Sequence, residues 1–341
     1  MCSFRFVVAV LTFVFLSVSA GYAETLTAID CSTPKDPTAS EERSYLCEAI
    51  RAIENNSLTI DPGHWPKARA EALTKVGSAT NRQQVYSLIK ELLAALGDRH
   101  SLFLEPEDVT KFQAPSPQFD RVSVGSPSGI ARVEVRGFRG GARASIDSYI
   151  RTLRAGLAEA KSKNSCAYIV DLRNNPGGNM WPTLLGLQPL LGWGKVMGFR
   201  GRDGKTAFVE LSPGGSAIDG AAMLDYAIGT EIAISLSDVP VAVLIGPTTA
   251  SSGEAVAIAF KGRPGTLFFG SPTRGKTTAN SPHRLSGSAT IYLTEYEFVD
   301  RNGGRYPMDV KPESEAVIDE EALPAAEAWI ASEGACKSAK R

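Results

Sequence analysis

Three apolar runs of strand length constrain this chain more than any other feature, because each stops abruptly in a loop rich in Gly, Ser and Thr. Residues 167–172 run into Arg173-Asn-Asn-Pro-Gly-Gly178, residues 239–245 into Gly246-Pro-Thr-Thr-Ala-Ser-Ser-Gly-Glu254, and residues 266–269 into Gly270-Ser-Pro-Thr-Arg-Gly-Lys276. The first two loops are followed by apolar segments of helical character, residues 181–191 and 255–261. Upstream, residues 131–136 alternate as a strand, and Ser145 reads as the cap of a helix with an apolar face of Ile146, Ile150, Leu153 and Leu157. Residues 289–299 alternate as a late strand, and the Ala/Glu run from Pro324 to Trp329 reads as a closing helix. Strand–loop–helix units in this order predict an α/β core.

The segment before that core is different in kind. Residues 40–110 read as helical, most clearly over Arg82–Leu96, where Val85, Leu88, Ile89, Leu92, Leu93 and Leu96 form one stripe. Asn81 is placed to cap this helix, Gln84 holds the capping-box position and Gly97 the stop. Residues 113–128, with Pro115, Pro117 and Pro127, read as an irregular linker. The division expected is therefore 1–23, 24–112 (helical), 113–320 (α/β core) and 321–341 (helix and tail).

Residues 1–23 have the pattern of an export signal: Arg5, an apolar run over 6–20, then small residues before Glu24. The run is short of the ~20 residues that span a bilayer, and no later stretch is long enough either. A periplasmic or secreted protein without stable membrane insertion is expected. Past residue 23 four cysteines remain, an even number that permits disulfides in an exported chain. Cys31 with Cys47 is the expected pair, while Cys166, in an apolar strand, reads as a buried thiol. The formal net charge of the whole chain is -1, which argues against a nucleic-acid partner. With no Cys-x-x-Cys and three scattered histidines, His64, His100 and His283, no zinc site is expected. A phosphate-cradling Gly-x-x-x-x-Gly-Lys-Ser/Thr loop is absent too.

Loops at strand ends are where α/β folds carry reactive groups. Ser251 follows a strand and precedes an apolar helix, so its hydroxyl meets free N–H groups and the positive end of a helix dipole, which favour an oxyanion. The plainer reading is an ordinary N-cap. A serine nucleophile needs a base. Lys276, 25 residues on at the end of the next strand-loop, is one candidate, since partial burial makes an ammonium easier to deprotonate. His100, in Asp98-Arg-His-Ser101, is the other. Gly177 and Gly178 free the backbone to present N–H groups to an oxyanion or to a docking strand; the plain alternative is a tight turn with Asp171 and Arg173 paired. No Gly-x-Ser-x-Gly elbow surrounds Ser251, because residue 249 is Thr.

Taken together, the three loops resemble the C-terminal-processing, or tail-specific, serine peptidases. That family reads Asp-Leu-Arg-x-Asn-x-Gly-Gly, a Ser three residues before Glu, and Gly-x-x-Thr-x-Gly-Lys; this chain has Asp171 to Gly178, Ser251 before Glu254, and Gly270 to Lys276. Asp98 to Leu104 is similar to the family's upstream His-Ser segment, and Met308-Asp-Val310 to its late Pro-Asp-Val. The resemblance implies a crotonase-like (ClpP/crotonase) core behind a small helical N-terminal domain. It implies a serine endopeptidase acting on a peptide or protein through an acyl-enzyme on Ser251, with no metal or organic cofactor needed. Lys276 would be the base, with the Ser252 amide and an amide of the Gly177-Gly178 turn holding the oxyanion, and Asp171 and Glu254 in support. About 30 residues separate Ser101 from the first core strand, too few for the PDZ module many members carry. The Ala-Ser-Ser-Gly-Glu stretch also looks like the tricorn-like branch, in which His100 would be the base and Asp300 or Glu297 its orienting acid. The Lys at the matching position favours the Ser–Lys dyad. An inactive peptide-binding homologue and an esterase using the same serine are the alternative functions.

Overall fold

A computed structural model describes residues 31, 40–114, 122–125, 129–225, 234–315, 319–333 and 336; the expected export signal lies outside them. The N-terminal part comprises α1 (Glu41–Asn56), α2 (Trp65–Lys75), α3 (Arg82–Leu96), the short strand β1 (Leu102–Leu104) and α4 (Pro106–Gln113). Its local chemistry follows the sequence closely. Asn81 Oδ1 accepts the Gln84 N–H at 3.1 Å, and Gly97 ends α3 with φ 72°. Gln84 departs from the capping-box expectation by one residue, since its Oε1 accepts from Thr80 N at 2.7 Å. The α3 stripe packs on Leu46, Ile50 and Ile53 of α1, and the same core takes in Leu285, Ile291 and Leu293 from near the end of the chain. The helices therefore share one core with a late strand, which carries the residues around His100 against the rest of the molecule.

The segment expected to be linker holds an edge strand, β2 (Val122–Gly125), paired antiparallel with β3 (Ile130–Val135). Next come α5 (Arg143–Ser162), β4 (Ala167–Asp171) and α6 (Met180–Leu191). Ile146, Ile150, Leu153 and Leu157 are buried as expected, but α5 begins before Ser145, with Ala142 at its N-cap. Four strands that the sequence reading did not mark follow: β5 (Gly194–Gly201), β6 (Thr206–Ser212), β7 (Gly215–Ile218) and β8 (Ala221–Asp225). Their turns carry Asp203-Gly204 and Asp219-Gly220, dipeptides that favour tight hairpins. Then come β9 (Val241–Ile245), α7 (Ser252–Phe260), β10 (Thr266–Gly270), β11 (Thr278–Arg284), β12 (Thr290–Asp300), the two-residue β13 (Ser314–Glu315) and α8 (Asp319–Ser332).

These strands form two sheets. One has the order β13-β10-β9-β4-β3-β2 and is parallel except for β2; the other runs β1-β12-β5-β6-β7-β8, with β11 on the free side of β12, and is antiparallel. In the parallel sheet Asp171 is in register with Leu244, and Ile245 with Gly270. The three Gly-rich loops therefore leave the same end of three adjacent strands. β4 and β9 are buried on both faces, under α5, α6 and α7 on one side and α8 on the other. That double burial is why they read as continuous apolar runs rather than alternating ones.

Two disulfides are present among the described residues. Cys31–Cys47 is the pair expected from sequence. Cys166 is not a thiol: it is bonded to Cys336 across 170 residues. The tail after α8 returns to the start of β4 because Ala322, Ala326 and Ile330 pack on Ala167, Ile169, Ala242 and Leu244. On chain-entropy grounds, closing a loop of that length contributes about 5 kcal/mol.

Candidate active site

The three loops are laced together by their own backbones. Asn175, 1% exposed, accepts the Ala250 N–H through its carbonyl at 3.0 Å and the Gly177 N–H through Oδ1 at 3.0 Å. Thr249 Oγ1 donates to Leu172 O at 2.8 Å, and Arg274 N donates to Thr249 O at 2.9 Å. The two glycines are required at their positions. A Cβ on Gly177 (φ 106°) would lie 3.0 Å from the Ser251 Cβ, and one on Gly178 (φ 121°) only 2.0 Å from Phe138 O. The turn thus lies directly against the serine because it carries no side chains.

Ser251 stands at the entry of α7 with φ 53° and ψ -119°, a conformation that non-glycine residues rarely adopt. The neighbouring carboxylate holds it there. Glu254, fully buried, accepts from Ser251 N (2.8 Å), Gly275 N (2.8 Å), Lys276 N (2.8 Å) and Thr273 Oγ1 (2.5 Å). This explains the Gly-x-x-Thr-x-Gly-Lys pattern: Thr273, Gly275 and Lys276 supply three donors to one carboxylate, and Ser251 supplies the fourth. Burial pushes the Glu254 carboxyl above its ordinary range, an effect the four donors partly offset.

His100 reaches the serine from the N-terminal part. Its Nε2 lies 3.1 Å from Ser251 Oγ, and its Nδ1 lies 2.7 Å from Thr278 Oγ1 on β11. For Nε2 to accept the serine proton, Nδ1 must carry the ring hydrogen and donate it to Thr278. The histidine backbone is fixed as firmly as its ring. Asp98 Oδ1 accepts from His100 N and Ser101 N, Asp98 Oδ2 accepts from Ser101 Oγ, and Asn280 Nδ2 donates to His100 O. Ser101 Oγ in turn accepts Thr294 N from β12. The Asp-Arg-His-Ser motif is therefore an aspartate-anchored turn, with Arg99 at φ 53°. Burial, with the positive charge of Lys276 adding to it, lowers the His100 pKa from 6.5 to about 4, so the imidazole is neutral at pH 7.

The sequence candidates fall into two groups. Ser251, Ser252, Glu254, Gly177, Gly178 and His100 meet at one point. Ser252 Oγ donates to Gly178 O at 2.5 Å, tying the glycine turn to the helix start. Lys276 is adjacent, but it enters through its backbone. Among the described residues its ammonium makes no hydrogen bond, and His100 occupies the place beside Ser251 Oγ that the favoured dyad assigned to the lysine. The acids expected to orient His100 are engaged elsewhere. Asp300 accepts from Tyr306 Oη, Asn302 N and Gly304 N, and Glu297 pairs with Arg305. Asp171 takes the plain reading: both Arg173 and Arg132 hold it, and although burial works to raise its pKa, the two guanidiniums keep it below the ordinary range. Thr278, Asn280 and Asn175 were not legible as site residues. A threonine or asparagine has no chemical signature until tertiary contacts give it a partner. Among the described residues, no group of three or more His, Cys, Asp or Glu side chains is arranged to hold a metal ion.

A serine in a strained strand-to-helix turn, hydrogen-bonded to a histidine and faced by a glycine turn, is the arrangement expected of a serine hydrolase. Comparison with known proteins specifies the class. The model of peptidase family S41 matches residues 129–316, more than half of the chain, and the chain belongs to that family of serine-type peptidases. It is 27% identical over 271 residues to a nisin-resistance protein of Lactococcus lactis subsp. lactis, covering 77% of this chain and 80% of the relative. In fold it is similar to a lipoprotein from Streptococcus agalactiae (TM-score 0.73, 23% identity, 86% of this chain and 98% of the other). It also resembles the photosystem II D1 C-terminal processing protease (TM-score 0.55, 16% identity, 83% and 94%). The α/β core is the crotonase-like fold of the family, behind a small helical N-terminal region. Among the described residues no helix is long and apolar enough to cross a membrane.

Proposed function

We propose that the protein hydrolyses peptide bonds through an acyl-enzyme on Ser251, with His100 rather than Lys276 as general base. The observation that carries this reading is the 3.1 Å contact between Ser251 Oγ and His100 Nε2 in a serine held at positive φ. As Oγ attacks the carbonyl carbon, its proton passes to Nε2. The carbonyl π pair moves to oxygen, and the oxyanion is met by the N–H groups of Gly178 and Ser252. Gly177 N–H is already committed to Asn175 Oδ1, so the turn's donor is Gly178. Collapse breaks the C–N bond, and the imidazolium returns its proton to the leaving amine. Water, deprotonated by the same nitrogen, then releases the acyl group. Thr278 takes the place an acid holds in a triad, fixing the tautomer without adding a charge.

The compartment proposed is outside the cytoplasm, in the cell envelope or beyond it. The two disulfides support this, as do relatives named as a lipoprotein and a nisin-resistance protein. The peptidase family makes a peptide the substrate class to try first. A division of the chain into a helical part (24–112) and a peptidase core (113–320) accompanies the proposal. A fluorophosphonate probe is expected to label the wild type and not Ser251→Ala, and the same substitution abolishes peptide hydrolysis. Labelling that survives Ser251→Ala refutes the nucleophile. Labelling without hydrolysis of any peptide library points to an esterase, and peptide capture unaffected by Ser251→Ala points to a binding protein.

A further inference from the structure

The mechanism above leaves Lys276 without a task, yet its surroundings are built around it. Its backbone N–H and that of Ser251 converge on the same oxygen, Glu254 Oε2, each at 2.8 Å. Two residues on, Thr278 grips the imidazole of His100. The main chain of Lys276 is thus pinned between the nucleophile and the base, and its side chain is half-buried. Among the described residues the ammonium has neither a hydrogen bond nor an ion pair, and the carboxylates of Glu254, Asp98, Asp300 and Glu297 are committed to other groups. Glu254 holds four donors, and Asp98 holds Ser101 and the His100 backbone. Asp300 holds Tyr306, Asn302 and Gly304, while Glu297 holds Arg305. The charged groups that act on His100 are Lys276 and Asp98.

A half-buried cation without a counter-charge, beside the reacting centre of a peptidase, is poised for an anion that arrives with the substrate. We propose that Lys276 is a specificity-determining residue that pairs with a carboxylate of the peptide substrate close to the scissile bond, from the free chain end or from an Asp or Glu side chain. This rests on the reading of His100 as base. It also couples recognition to chemistry. A seated carboxylate offsets the positive charge that lowers the basicity of His100, so the base strengthens when the right substrate is in place.

The test uses the full chain on a synthetic peptide library made in three matched forms: free C-termini, C-terminal amides, and amides with Asp and Glu replaced by Asn and Gln. Cleavage is followed by mass spectrometry. The wild type is expected to cut carboxylate-bearing members about tenfold faster than their neutral counterparts, the scale of one charge-assisted hydrogen bond. The form that responds identifies the source, chain end or side chain. Lys276→Met brings the ratio to about one, and Lys276→Arg restores it; fluorophosphonate labelling of Ser251 shows that each variant keeps a formed site. Equal rates on all three forms in the wild type overturn the proposal, whatever the variants do, and so does a ratio that survives Lys276→Met. Hydrolysis that persists in His100→Ala overturns the base assignment instead. Loss of all turnover in Lys276→Met with His100→Ala still active returns the lysine to the role of base.

Discussion

Acidification is the perturbation that most directly interrogates the site. His100 is 7% exposed, and its pKa falls from 6.5 to about 4, first through burial and then through Lys276. Such an imidazole stays in its proton-accepting form far into acid. At pH 5 it is still about nine-tenths neutral, where an ordinary imidazole is about 3% neutral. The acid limb of kcat/KM, which reports the free enzyme, is therefore expected near pH 4 rather than near 6.5. The same displacement acts on stability. The unfolded chain takes up a proton on this histidine below pH 6.5, and the folded chain does so only below about pH 4. Stability from this group is thus complete above pH 6.5, declines as pH falls through the interval, and levels off below about 4. The full difference is about 3 kcal/mol. Urea unfolding from pH 7 to pH 4 in the wild type and in His100→Gln isolates it, because the variant lacks the titrating group. Superimposable pH dependences, or an acid limb near 6.5, would refute the buried, cation-flanked histidine. Lys276→Met should move the limb upward but leave it short of 6.5, since burial remains.

Other outcomes follow from single contacts. Thr278→Val removes the acceptor for Nδ1–H and is expected to lower kcat about tenfold with little change in KM, with recovery in Thr278→Ser; steady-state kinetics on one peptide decide it. Gly178→Ala forces a Cβ against Phe138 O at a φ of 121°. It should destabilise the fold by about 2–3 kcal/mol in urea melts and reduce turnover at least ~100-fold by displacing the proposed oxyanion donor.

What the sequence by itself determined here is whatever depends on near neighbours or on a residue type with few uses. The α3 stripe with its Asn81 cap and Gly97 stop, the doubly buried β4 and β9, and the glycines of the 177–178 turn were all readable, because local sterics and burial decide them. So was the meeting of the Ser251 and Lys276 loops, since parallel neighbouring strands deliver their loops to one edge. The hairpin strands β5 to β8 were less legible, although two Asp-Gly turns marked them, because their outer members are half-exposed and lack a clean alternation. Tertiary structure alone decided the partner of the serine. Sequence presented two bases, Lys276 at a matching spacing and His100 151 residues away, and proximity along the chain says nothing about which nitrogen meets Oγ. That choice was made by the core shared between the N-terminal helices and β12, which carries the Asp98–Ser101 turn to Ser251. Glu254 meanwhile holds Lys276 by its backbone, and among the described residues the ammonium has no hydrogen bond or ion pair. The Cys166–Cys336 bond was decided the same way, by α8 folding back over the parallel sheet.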